Sequence, residues 1–189
     1  MLSGMTTTVV PATPRRHHYF AGFLSRIMMA AGLVLIAATL ATIAQGLLHQ
    51  RDLDRAWQAE VKAHPPPAVP KPPPADATPQ ALSGVDFAIR VPRIGYYAAV
   101  QEGITSNILI SGPGHYPGTR WPGQDGNVGV AAHNTYWMRF GDLGPGDEID
   151  LETRYGVFRY TISGKRIVAP SDTSVLAQTA GEHLTLTTC

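Results

Sequence analysis

Cysteine is almost absent from this chain of 189 residues: Cys189, the last residue given, stands alone. A single cysteine excludes an intramolecular disulfide framework and any cysteine-rich zinc site, leaving a buried filler, a stray thiol or a nucleophile. An excess of either charge is also lacking, with 15% charged residues and a formal net charge of +1. No Lys/Arg cluster with interleaved aromatics occurs, so a nucleic-acid partner is not expected. No internal repeat is present. The length and a hydrophobic content of 44% allow one modest globular domain plus extra segments.

One long uncharged run stands out. Ile27 to Leu48 is 22 residues without a charge, and at about 1.5 Å per residue a helix there reaches roughly 33 Å, enough to cross a hydrocarbon core. Its apolar residues occupy every face, unlike the single stripe of a soluble core helix. Residues 1–19 read as a polar cytoplasmic tail and 20–49 as a transmembrane anchor. Arg15, Arg16 and Arg26 precede the run, whereas Arg51 and Arg55 alternate with Asp52 and Asp54, which favours a cytoplasmic N-terminus. Thr42-Ile43-Ala44 offers a signal-peptide cleavage site as the alternative; either way the remainder is exported. Residues 50–84 read as an extracytoplasmic linker: a short polar helix to Ala63, then His64 to Pro79, where proline fixes φ and removes amide donors. That stretch is expected as a polyproline-II spacer of roughly 50 Å holding a domain off the membrane, with an SH3-type ligand as the lesser alternative.

Residues 85–189 read as an all-β domain. Apolar alternation or short apolar runs mark Asp86 to Val91, Asn127 to His133, Glu148 to Leu151, Val157 to Ile162, Arg166 to Val168 and Leu184 to Thr188. Turn clusters such as Gly112-Pro113-Gly114, Trp121-Pro122-Gly123 and Gly144-Pro145-Gly146-Asp147 separate them, which suggests a barrel or sandwich. Ser171 to Gln178 is the one expected helical turn, with Ser171 or Asp172 as its cap.

Two strand-like runs end on reactive side chains: Val130-Ala131-Ala132-His133 and Leu184-Thr185-Leu186-Thr187-Thr188-Cys189. A thiolate with a histidine nearby suits acyl transfer, the thiolate attacking and the histidine protonating the leaving amine. Local pattern alone leaves two readings open, this pair or a buried inert thiol.

An ordered series of motifs bears on that choice: Val91-Pro92-Arg93-Ile94-Gly95, Gly112-Pro113-Gly114-His115-Tyr116-Pro117-Gly118-Thr119, Pro122-Gly123-Gln124, Gly126-Asn127-Val128, Ala132-His133, Pro170-Ser171-Asp172 and the Leu184 to Cys189 ending. Over nearly all of Val85 to Cys189 the chain resembles a sortase, most similar to class E, with class D next. The resemblance implies an eight-stranded β-barrel on the outer face of the cell membrane, carried by a single-pass anchor. It implies cleavage of the Thr-Gly bond of an LPXTG- or LAXTG-type sorting signal through a thioacyl intermediate, then transfer to an amine of a peptidoglycan precursor or a pilin lysine. The partners implied are therefore secreted proteins bearing sorting signals and one of those acceptors. Carried over by position, Cys189 is the nucleophile, His133 the general acid/base, and Thr188 lines the substrate and oxyanion region. No cofactor and no metal are implied.

Ala132 stands where the family usually has glycine, and Asn134 where arginine is common. The family's arginine, a few residues past the cysteine at the end of the eighth strand, has no counterpart before the chain stops, and Arg90, Arg93, Arg120 and Arg139 do not match its position. A C-terminally incomplete domain is the expectation, with an inactive truncated remnant, or a tethered β-domain that binds cell-wall components, as alternatives. His115 is expected as a structural loop histidine, and Trp121, Tyr136 and Trp137 as packing residues. His183 lies about 20 Å from Cys189 along an extended strand and is a poor partner. Asp142, Asp147, Glu148, Asp150 and Glu152 read as solvated edge charges in preference to a calcium site.

Overall fold

The computed structural model describes residues 16–74, 76, 81 and 84–188, with the side chains of 16–21 left aside. Contacts divide the described residues into two units, parted between Thr42 and Ile43. Helix α1 spans Arg16–Ala63. In the first unit its Phe23, Leu24, Met28, Leu33, Leu35 and Leu40 are all exposed, so apolar side chains face outward on every side. It is the one helix among the described residues long and apolar enough to cross a membrane.

The second unit is a seven-stranded sheet curled into a nearly closed barrel, in the order β6-β5-β1-β2-β3-β4-β7. The strands are β1 Phe87–Val91, β2 Tyr96–Glu102, β3 Gly114–His115, β4 Gly126–Ala131, β5 Glu148–Thr153, β6 Gly156–Thr161 and β7 Glu182–Thr187. Short helices α2 (Ser106–Ser111) and α3 (Asn134–Trp137) lie in the β2–β3 and β4–β5 connections. The β1–β2, β1–β5, β3–β4 and β5–β6 pairs are antiparallel, whereas β2–β3 and β4–β7 are parallel. Phe87, Ile89 and Val91 of β1 pack inward with Ala98 and Val100 of β2, Val128 and Val130 of β4 and Ile149 and Leu151 of β5. Between β1 and β2 a 3₁₀ turn ends on Gly95, whose φ of 61° is the left-handed conformation that only glycine adopts cheaply.

Strand β2 was not evident in the sequence, because it is covered on both faces. Tyr96, Ala98 and Val100 face the core, while Tyr97 and Ala99 pack against α1 with Leu53, Trp57, Val85 and Ala88. Polar alternation vanishes when both faces are buried. The Arg166–Val168 run, expected as a strand, forms none, and Ile167 is fully exposed. Among the described residues, the spacer expected over 64–79 is tied to the barrel at two points. Lys71 N donates to Tyr155 O at 2.8 Å, and Gln124 Nε2 donates to Pro74 O at 2.6 Å. Proline lacks a donor but keeps its carbonyl, and that acceptor suffices for docking.

Helix α1 reaches the barrel along one face. Gly46, Gln50, Leu53 and Trp57 are buried at helical spacing. A Cβ at Gly46 would come within 2.3 Å of Ile110 O, so glycine is what permits this approach. Gln50 Nε2 donates to Ala99 O at 3.0 Å and Asp54 Oδ1 accepts from Ala99 N at 2.7 Å, occupying both backbone groups of that residue.

Candidate active site

Strands β4 and β7 run side by side and in the same direction, with Gly126 beside Glu182 and Ala131 beside Thr187. Both runs therefore end at the same place. Beyond the ladder, Ala132 N donates to Thr187 O at 3.2 Å. His133, half-buried, is the extended residue that precedes α3, and its carbonyl accepts from Tyr136 N at 2.9 Å. Small residues on β4 make the close packing possible: a Cβ at Gly129 would meet Leu176, Tyr116 and Thr119 side chains at 3.0 to 3.1 Å.

Thr188 follows β7 and is exposed; its hydroxyl donates to Asn134 Oδ1 at 2.7 Å. Thr188 and His133 are thus brought to one end of the β4–β7 pair, while Cys189 lies outside the described residues. On β7 the threonines anchor the strand: Thr185 Oγ1 lies 2.9 Å from Asn127 Oδ1, and Thr187 Oγ1 lies 2.9 Å from the Tyr116 hydroxyl. Leu184 and Leu186 alternate with them and pack on the core. A cleft of about 260 Å³ adjoins the residues after His133, lined by Thr135, Tyr136, Met138, Arg139, Phe140 and Tyr96 among others. Neither His133 nor Thr188 lines it.

Three of the four arginines weighed from sequence are occupied elsewhere. Arg90 pairs with Asp150, Arg93 with Asp147, and Arg139 Nη1 donates to Ile94 O at 2.7 Å. Asp150 corrects the expectation of a solvated edge charge: its side chain is buried between Arg90 and Arg159. Burial pushes its carboxyl up, but the hydrogen bonds and charges of Arg159 and Arg90 outweigh this and hold it below the usual range. Trp121 and Trp137 are core residues, as expected. His183 is exposed, with Nε2 3.1 Å from Ala180 O.

His115 differs from the expected loop histidine. It lies buried on β3, 2.7 Å from Glu102 and 3.7 Å from Asp86. Burial, and next the nearby Glu102 carboxylate, pushes Asp86 up to about 8. Burial also pushes Glu102 up, but the hydrogen bond and charge of His115, with Asp86 close by, bring it below its ordinary value. Sequence reasoning missed this cluster and the Thr188–Asn134 bond. Both arise from parallel pairings between distant segments, which leave no local signal.

A curled all-β barrel with His133 and Thr188 at the end of one parallel strand pair defines a recognisable class of protein. A family model described as the sortase domain matches residues 89–189, just over half of the chain, and the chain belongs to the sortase family. Sortases are cysteine transpeptidases. Sortase D of Bacillus subtilis (strain 168) is 35% identical over 103 residues, which are 53% of this chain and 52% of that protein. The chain thus spans about half the length of that curated relative. Among solved structures, a Clostridium perfringens sortase D5 transpeptidase superposes with a TM-score of 0.54 at 26% identity, covering 79% of this chain and 89% of the other. Sortase E from Streptomyces avermitilis gives 0.52 at 31% identity, covering 58% and 82%. Sortase E1 from Streptomyces coelicolor, solved with a tripeptide in its active site, gives 0.51 at 27% identity, covering 59% and 81%.

Proposed function

We propose that this chain is a membrane-anchored transpeptidase in which Cys189 attacks the Thr-Gly carbonyl of an LPXTG- or LAXTG-type sorting signal. The observation that carries the reading is the β4–β7 register. Ala131 lies beside Thr187, and in the sequence His133 and Cys189 each follow two residues after that pair. In the first half-reaction a C–S bond forms and the C–N bond breaks, and the leaving glycine amine takes its proton from His133. In the second, an amine attacks the thioester carbonyl, gives a proton to His133, and the Cys189 thiolate leaves. Thr188, held by Asn134, lines the substrate and oxyanion region. The tripeptide in the active site of the Streptomyces coelicolor relative supports a peptide substrate. The acceptor is a peptidoglycan-precursor amine or a pilin lysine.

The same reading assigns residues 1–19 to the cytoplasm, 20–49 to a single membrane pass, 50–84 to a linker and 85–189 to an extracellular catalytic domain. Mass spectrometry of the detergent-solubilised chain with an LAXTG peptide tests the chemistry. A hydroxylamine-sensitive adduct on Cys189, absent in Cys189→Ala, is the expected result, and His133→Ala should slow its formation by about 10²-fold or more. An adduct that persists in Cys189→Ala, or none in the parent chain, overturns the proposal.

A further inference from the structure

Three side chains that the proposed reaction does not use converge in the barrel: Asp86 before β1, Glu102 at the end of β2 and His115 on β3. Each offers one donor atom, and these atoms lie within 4.8 Å of one another. Parallel pairing of β2 with β3 sets Glu102 beside His115.

Hydrogen bonding fixes which way the imidazole presents itself. Nε2 lies 3.0 Å from Arg120 O, a carbonyl that can only accept. It also lies 3.0 Å from Thr119 Oγ1, whose own hydrogen goes to Tyr116 O at 2.8 Å, so that oxygen too can only accept from the ring. Nε2 must therefore carry a proton, and in the neutral ring Nδ1 then directs its lone pair at the two carboxylates. Asp86 sharpens the problem. Its side chain is 1% exposed, and among the described residues neither of its oxygens has a hydrogen-bond partner. With the ring neutral and both carboxyls ionised, three electron-pair donors would face one another around a buried aspartate, which a cation or protons must neutralise.

We propose that Asp86, Glu102 and His115 form a binding site for one divalent cation of the zinc class, with water completing the shell. The donor set of one imidazole nitrogen and two carboxylates suits such ions. A ligating histidine characteristically donates its other ring N–H to a carbonyl, as His115 does to Arg120 O. Tetrahedral coordination at about 2.1 Å sets donor atoms roughly 3.4 Å apart. The present 2.7 Å between Nδ1 and Glu102 Oε2 must open slightly, and the Glu102 side chain, 46% exposed, has the freedom to swing. That exposure also gives the ion its entry. Phe87 and Trp121 rings, at 5.6 and 5.4 Å from the imidazole, close the inner side. The alternative filling is protons alone, one shared between the carboxyls and one on Nδ1.

The test uses the full chain in detergent with Cys189→Ala as background, which removes the sole thiol. After chelation, Zn²⁺ is titrated and bound metal counted by elemental analysis, with the melting temperature followed in parallel. One zinc per chain and a raised melting temperature are expected. Asp86→Asn or Glu102→Gln should weaken binding at least tenfold and remove the thermal shift, while their circular dichroism matches the background protein. No bound zinc means that protons fill the cluster and overturns the site. Zinc bound equally by all three variants places it elsewhere and overturns it as well.

Discussion

Thr188 Oγ1 donates to Asn134 Oδ1 across 2.7 Å, tying the end of the β7 run to the residue that follows His133. Both residues are exposed, so the bond is worth about 1 kcal/mol at most to stability. Its position gives it more weight than that. Without this bond the segment after β7 would drift from the histidine, and misplacement of about 1 Å can cost roughly 10²-fold in rate. Asn134→Ala is therefore expected to leave the melting temperature within a few degrees of the parent while lowering kcat/KM for an LAXTG peptide about tenfold. Equal kinetics in the two proteins would assign the bond no part in positioning.

Asp86 makes the metal-free protein sensitive to alkali. Its carboxyl has an ordinary value of 3.8 and is pushed up to about 8 in the fold, by burial first and by Glu102 next. Between those pH values the folded chain holds a proton that the unfolded chain has lost, so stability falls as pH rises, on the order of 1 kcal/mol per pH unit. The contribution is complete below about pH 4 and spent above about pH 8. Glu102 shifts in the opposite direction and acts only in acid, so a scan from pH 5.5 to 8.5 reports Asp86. With chelator present, the parent should lose melting temperature across that scan and Asp86→Asn should stay nearly flat. Parallel curves would show that the carboxyl is ionised throughout.

Much of the barrel could be read from the chain, for reasons that specific residues show. β1, β4, β5, β6 and β7 each overlap a run picked out in the sequence, and Asp172 caps the 3₁₀ turn Thr173–Leu176 by accepting from Ser174 N. β2 was hidden because α1 covers Tyr97 and Ala99, and β3 because two residues carry no periodicity. The convergence of His133 with the Thr188 end was legible as two runs with reactive termini. The parallel register that joins them was not, since nothing local encodes a partner more than fifty residues away. Charge failed as a guide at Asp150, where outward arginines on neighbouring strands allow an acid to be buried.

That acid gives the fold a second pH limit. Asp150 is held below its ordinary 3.8 because the pull of Arg159 and Arg90 exceeds the effect of burial. Its contribution is present above about pH 4 and is lost as pH falls through the lowered value. Asp150→Asn should therefore destabilise the protein at pH 7, by about 1 to 3 kcal/mol given that both arginines are half exposed, and much less at pH 3. Chemical denaturation at the two pH values measures this directly. An equal loss at both would locate the effect in packing rather than charge.

Trp57 tests whether α1 is part of the folded domain or merely rests on it. Its side chain is 1% exposed among Leu53, Val85, Ala88 and Ala99, while Gln50 and Asp54, two turns and one turn earlier, take up both backbone groups of Ala99. A helix of this polarity gains most of its stability from such packing. Trp57→Ala removes the largest contact and should cost on the order of 3 kcal/mol. Val69→Ala, at a site 81% exposed, should cost nothing measurable. If the helix packs as a unit with β1 and β2, the Trp57 variant will also admit protease between residues 43 and 63 while the strands remain intact. A Trp57 variant as stable and as protease-resistant as the Val69 control would mean that β2 keeps its place without the helix that hides it.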